Sequence, residues 1–150
     1  MLLYFYVRKG VLYMSTFGMV EKGFYRSIEP VAIVPVSNTE ALRGAFRDTI
    51  TRGNPKVPSL PRAQWPQPPV LLKHAGFKTW SAFERGASYW SIKEENGIFR
   101  IRAMKKKDTG RGWEDDAERG ESFPAGTTAD EVIERMIAIL QNAARENSSR

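Results

Sequence analysis

The stretch KTWSAFERGASYWSIKEENGIFRIRAM, Lys78 to Met104, decides the fold of this chain. Two alternating runs, Tyr89 to Glu94 and Ile98 to Met104, meet at Asn96-Gly97, and Asn-Gly tolerates the positive φ angles of a two-residue type I′ turn. The reading is a β-hairpin. With Glu95 and Ile98 flanking the turn, Ile92 faces Ile101, Trp90 faces Ala103 and Glu94 faces Phe99 on one side. Lys93 then faces Arg100, and Ser91 faces Arg102, on the other. One face is largely apolar and the other basic. A cross-strand pair is worth roughly 0.2–1 kcal/mol and like charges set opposite oppose pairing, so Lys93 and Arg100 need acidic neighbours, water or a partner.

Outward from the hairpin, the chain carries two capped helices. Ser37-Asn38-Thr39-Glu40 reads as a capping box, followed by Leu42, Ala45, Phe46, Thr49 and Ile50 on one helical face and stopped by Gly53-Asn54-Pro55. Thr128-Ala129-Asp130-Glu131 is a second capping box, with acids suited to the positive end of the helix dipole. Val132, Met136, Ile139, Leu140 and Ala143, widened by Ile133 and Ile137, form its apolar stripe, too short for a coiled-coil seam. Residues 146–150 are expected to fray.

Between these helices, Phe24 to Val36 reads as a strand broken or held at a sheet edge by Pro30 and Pro35, which cannot donate to a ladder. Residues 54–69 hold six of the nine prolines and predict an extended surface connection pinned by Trp65, with a docking strip for a partner as its functional alternative. Val70 to Leu72 reads as a short strand. Thr79 to Arg85 reads as a short helix with Trp80 and Phe83 turned inward. The expected architecture is α+β: one domain spanning 1–150, with an antiparallel sheet built on the central hairpin and two main helices on one face.

Composition bounds the chemistry. The 150 residues include no cysteine and one histidine, which excludes thiolate sites and disulfides and leaves no room for a multi-histidine metal centre. No cofactor is expected. The apolar opening MLLYFYVRKGVLYM is too short for a signal peptide or a membrane span. It reads as a surface strand, or as an N-terminal extension (1–13) ahead of a start at Met14, in a cytoplasmic protein that does not enter a membrane. The net charge of +6 lies wholly in the first half: ten basic against four acidic residues over 1–75, and thirteen of each over 76–150. Such a balance steers association without defining a site.

Several groups invite a functional role and a plainer one. Arg43, Arg47 and Arg52 on the first helix could meet phosphates, although a solvated basic face is the commoner use. His74 has no carboxylate or serine near it in sequence, which argues against catalysis. Lys105-Lys106-Lys107 with Gly110 and Gly112 lacks the glycine-lysine-threonine order of a phosphate loop. The acidic run Glu114, Asp115, Asp116, Glu118 and Glu121 lacks the ligand repeat of a calcium-binding loop. It reads as a solvated loop running into a short strand near Ser122-Phe123. Its functional reading is contact with a basic partner, with Trp113 as a buried aromatic anchor.

The block VLLKHAGFKTWSAFERGASYWSI at 70–92, the hairpin IKEENGIFRI and the closing RGWEDDAERGESFPAGTTADEVIERMIAIL at 111–140 resemble the small cytosolic immunity proteins of bacterial contact-dependent growth inhibition systems. The likeness spans residues 24–143 and lies in texture and element order. It implies a noncatalytic antitoxin that binds a cognate toxin domain, often a nuclease, at the C-terminal part of a large secreted effector, and plugs or distorts its active site. Such proteins offer no residue pattern to transfer. The candidate partner-binding residues are therefore Trp113, Glu114, Asp115, Asp116 and Glu118, followed by the basic hairpin face of Lys93, Arg100 and Arg102. The alternative function is a basic nucleic-acid-binding module using Arg43, Arg47, Arg52 and the lysine run. A hydrolase using His74 or the carboxylates is a third and weaker one.

Overall fold

A computed structural model describes residues 1–148. Six strands form one sheet in the order β3-β2-β1-β4-β5-β6, with every neighbouring pair antiparallel. They are β1 (Leu2–Arg8), β2 (Val11–Glu21), β3 (Phe24–Pro35), β4 (Ser88–Glu95), β5 (Ile98–Lys106) and β6 (Trp113–Ser122). The helices are α1 (Thr39–Arg52), α2 (Val70–Ala75), α3 (Trp80–Glu84) and α4 (Ala129–Ser148). The fold is α+β, as expected.

The β4–β5 hairpin adopts the predicted register throughout, from Glu95 opposite Ile98 to Trp90 opposite Ala103. Asn96 and Gly97 take φ of 54° and 76°, the left-handed values that a type I′ turn requires. The opening run corrects the expectation of a surface strand. β1 lies inside the sheet between β2 and β4, and its alternation buries Leu3 and Phe5 on one face while Tyr4 and Tyr6 look to the other. A chain starting at Met14, itself buried in β2, would lack this strand and divide the sheet.

On one face α1 and α4 close the main core with Leu42, Phe46, Val132, Ile133, Met136, Ile137 and Leu140, set against Leu3, Phe5, Leu12, Met14, Trp90, Ile92, Ile101 and Ala103. The α1 cap is Asn38 rather than Ser37: its Oδ1 accepts from the Ala41 amide at 3.1 Å. A turn closed by the Asn38 amide on the Pro35 carbonyl starts the helix one residue late, which frees Glu40 to meet Arg43. Gly53 ends α1 as expected, its amide bonded to the Thr49 carbonyl. Thr128 caps α4 by accepting from the Glu131 amide at 3.2 Å. Helix α4 runs on through Ser148 where fraying was expected; the remaining residues, 149 and 150, lie outside the described ones.

The opposite face has its own cover. Leu71, Leu72 and Phe83 from α2 and α3 pack on Tyr6, with Tyr13, Phe77, Tyr89 and Trp113 around them. The expected strand at Val70 to Leu72 is the helix α2, entered from Pro69 and ended by Gly76 in the left-handed conformation. A three-residue apolar run has no period of its own, so the flanking proline and glycine decide it. Phe83 turns inward as expected, whereas Trp80 stays 38% exposed. β3 is an edge strand, and its ladder with β2 shifts register where Pro30 falls.

Phe5 is fully buried in the central strand and meets Phe46 edge-on at 5.1 Å. Phe5→Ala is expected to cost roughly 3–5 kcal/mol in urea unfolding, and Trp80→Ala distinctly less. Similar losses for the two would contradict this placement of β1.

Candidate partner interface

Strand β6 carries the acidic run expected to form a loop. Aspartate and glutamate are poor strand formers, but strand preference follows context, and here the lysines at the end of β5 supply it. Lys105 stands opposite Glu114 and Lys106 opposite Trp113, so these two cross-strand positions join opposite charges and a cation with an aromatic ring. Alternation divides the run. Glu114 and Asp116 stand on the α4 side, opposite Lys105 and Ala103, whereas Trp113 and Asp115 stand on the other, opposite Lys106 and Met104.

A bulge then interrupts the ladder. Ala117, Glu118, Arg119 and Gly120 stand against Arg102 alone before Glu121 pairs with Ile101. Gly120 makes this approach possible, because a Cβ there would lie 3.2 Å from the Ile101 carbonyl oxygen. Arg119 folds back across the bulge. Its Nε donates to Asp116 at 2.7 Å, its Nη2 donates to the Met104 carbonyl at 3.0 Å, and its guanidinium lies over the Trp90 ring. Hydrogen bonding to that guanidinium holds the Asp116 carboxyl below its ordinary value.

The basic hairpin face meets the acidic strand at this bulge. Arg100, Arg102, Asp115, Ala117, Gly120 and Ser122 line a recess of about 200 Å³. The structure thus brings Asp115 to the basic hairpin face, which continues to Lys93 opposite Arg100, while Glu114 and Asp116 lie on the α4 side of the sheet. Lys93 finds the acidic neighbour its position demands in Glu95, at 3.2 Å. Glu114, Asp115 and Glu118 are exposed and form no ion pair among the described residues.

Trp113 sits differently from a free anchor. Its indole N–H donates to Glu84, and its ring packs on Tyr89 at 5.3 Å with Lys106 Nζ 4.6 Å above it. Glu84 also accepts from the Tyr6 hydroxyl at 3.4 Å and from Lys106 at 3.2 Å. One carboxylate therefore ties α3 to β1, β5 and β6 and fixes where β6 begins. Burial holds the Tyr6 and Tyr89 phenols well above their usual range, with the Glu84 charge acting in the same direction. The sequence left this cluster unread, because Glu84 is a single acid in a short apolar helix and its partners lie far along the chain.

Other candidate groups are committed elsewhere. Arg43 bonds Glu134 and Glu40, Arg47 meets Asp130 at 3.5 Å, and Arg52 donates to Thr16 at 3.0 Å. His74 does have a carboxylate partner, Glu29 of β3 at 2.8 Å, which corrects the expectation drawn from nearby sequence. Both side chains are solvent-facing, and the bond to His74 lowers the Glu29 carboxyl below its ordinary value. Trp65 pins its own connection through an indole bond to the Leu60 carbonyl at 3.0 Å, yet half its surface stays exposed. With Phe24 and Tyr25, just past the β2–β3 turn, it borders an apolar groove of about 440 Å³. Among the described residues, no group of histidine, aspartate or glutamate is placed to hold a metal ion, and no helix is long and apolar enough to cross a membrane.

Glu84→Ala leaves three donors, Trp113, Tyr6 and Lys106, without their acceptor and is expected to cost roughly 1–3 kcal/mol in urea unfolding, with a red shift of tryptophan emission. An unchanged emission maximum would contradict the clamp. Arg135 Nε donates to both Glu121 oxygens at 2.9 and 3.0 Å and holds that carboxyl below its ordinary value of 4.5. A folded value below the unfolded one makes the stabilisation complete above pH 4.5 and lost as pH falls through the folded value. Glu121→Gln is expected to flatten this part of the acid destabilisation while costing no more than about 1 kcal/mol at neutral pH. Identical stability profiles for both proteins would contradict the assignment.

No protein-family model matches the chain, and no curated protein matches it. Among solved structures it is similar to NMB0488, a protein of unknown function from Neisseria meningitidis. The two align at a TM-score of 0.63 and 15% identity, over 95% of this chain and 93% of the other. At that identity the likeness is one of fold.

Proposed function

We propose that this is a noncatalytic immunity protein of the cytoplasm, which neutralises a cognate toxin domain by covering it with the β4–β5–β6 end of its sheet. The observation that carries the proposal is the shared surface at the β6 bulge. There Arg100 and Arg102 border the same recess as Asp115, which has no ion-pair partner among the described residues. Unpaired charges of both signs, set on a rigid ladder, suit a partner of complementary pattern and penalise others. The remainder of that sheet face is covered by α2 and α3, and the opposite face by α1 and α4.

The arginines of α1 favour this proposal over nucleic-acid binding, since each is engaged by a carboxylate or hydroxyl within the protein. A specific complex would bury roughly 1,200–2,000 Å² in total.

Co-expression with the toxin domain encoded immediately upstream tests the proposal. The expected result is a complex that survives a high-salt wash and blocks toxicity. Arg100→Glu combined with Asp115→Arg is expected to weaken it by about tenfold or more while leaving the thermal midpoint unchanged, as for charges at an interface. Failure to form a complex, together with retention of cellular nucleic acid that high salt removes, would overturn the proposal in favour of a basic surface.

A further inference from the structure

The end of the sheet offers more than side chains. β6 is a terminal strand, and among the described residues nothing pairs with its outer edge, which leaves a row of backbone N–H and C=O groups open to another chain. The opposite edge is guarded differently: β3 carries Pro30 and Pro35, and α2 packs against it. β6 contains no proline. Its first four residues, Trp113 to Asp116, are held in regular register with β5, and the Trp113–Glu84 clamp fixes their start. The bulge at Ala117 to Gly120 ends the regular segment.

We infer that the outer edge of Trp113 to Asp116 accepts an extended basic segment of the protein partner as a seventh strand. This deepens the proposed function and rests on it, since it states how the partner is held. Charge selects the occupant. Among the described residues Glu114, Asp115 and Glu118 have no ion-pair partners, and a second copy pairing through the same edge would set acids against acids. The edge thus repels its own kind, while a strand carrying lysine or arginine gains both the ladder bonds and the charge pairing. Strand addition of this sort draws affinity from main-chain hydrogen bonds and specificity from the alternating side chains. Four residues span about 13 Å, which sets the minimum length of the added segment.

The test uses a synthetic ten-residue peptide of alternating lysine and threonine. Two controls accompany it: the same peptide N-methylated at alternate backbone amides, and a glutamate–threonine counterpart. Hydrogen exchange and amide NMR shifts of the full-length protein are the readouts. The expected result is slowed exchange and shifted resonances concentrated at Trp113 to Asp116 for the basic peptide, with affinity about tenfold or more weaker on N-methylation as ladder bonds are lost. Glu114→Lys combined with Asp115→Lys should abolish these effects and confer them on the acidic peptide. Equal binding of the methylated peptide, effects centred on another surface, or no binding would each overturn the strand-addition inference. None of these outcomes bears on toxin neutralisation, which the co-expression experiment reads separately.

Discussion

The pairing of β1 with β4 is the contact on which the rest of the molecule depends. It joins the β3–β2–β1 half of the sheet to the β4–β5–β6 half across six residue pairs, from Leu2 opposite Lys93 to Val7 opposite Ser88. Leu3 over Ile92 and Phe5 over Trp90 form the floor of the main core, and Tyr6 stacks on Tyr89 beneath α2 and α3. Asn54 closes one end, accepting from the Leu2 amide while donating to the carbonyls of Leu2 and Phe17. Both hydrophobic layers and the surface at β6 inherit their position from this seam.

The sequence revealed the parts of the fold whose signals are local. The hairpin register followed from strict alternation on both sides of Asn96-Gly97, and α1 and α4 followed from apolar stripes with capping residues. The central strand was lost for an equally local reason. β1 and β2 also form a hairpin, but its turn is Lys9-Gly10, where a lysine takes φ of 50°. Lysine at positive φ is uncommon, so the turn that would have identified MLLYFYVRKGVLYM as two strands was not read. The expected short strand near Ser122-Phe123 marks only the end of β6, whose acidic residues disfavour strands when taken alone. Lys105 opposite Glu114 and Arg119 bonded to Asp116, both brought there by the tertiary fold, make them compatible.

Much the same division holds for the candidate surface. Both charged sets were visible as sets, the acids by density and the basic face by strand alternation. That Asp115 borders one recess with Arg100 and Arg102 was not visible, because a strand had first to replace a loop and a bulge had to turn Arg102 against four residues. Trp113 illustrates the limit of composition: an indole beside acids reads as an anchor for a partner, whereas Glu84, far away in sequence, holds it inward. The clamp gives Trp113 a different importance, since a rigidly started edge strand loses less entropy when another chain is added to it.

Two exposed surfaces compete as the place where the proposed partner would bind: the charged end at β6, and the apolar groove around Phe24, Tyr25 and Trp65 at the far side of the sheet. Amide hydrogen exchange across the whole chain, compared between the free protein and its complex with the co-expressed toxin domain, separates them most directly. Neutralisation through the β4–β5–β6 end requires slowed exchange in β5 and β6, with the β2–β3 turn and the proline-rich connection unchanged. Slowing confined to Phe24, Tyr25 and the connection around Trp65 would contradict it and move the interface to the apolar groove.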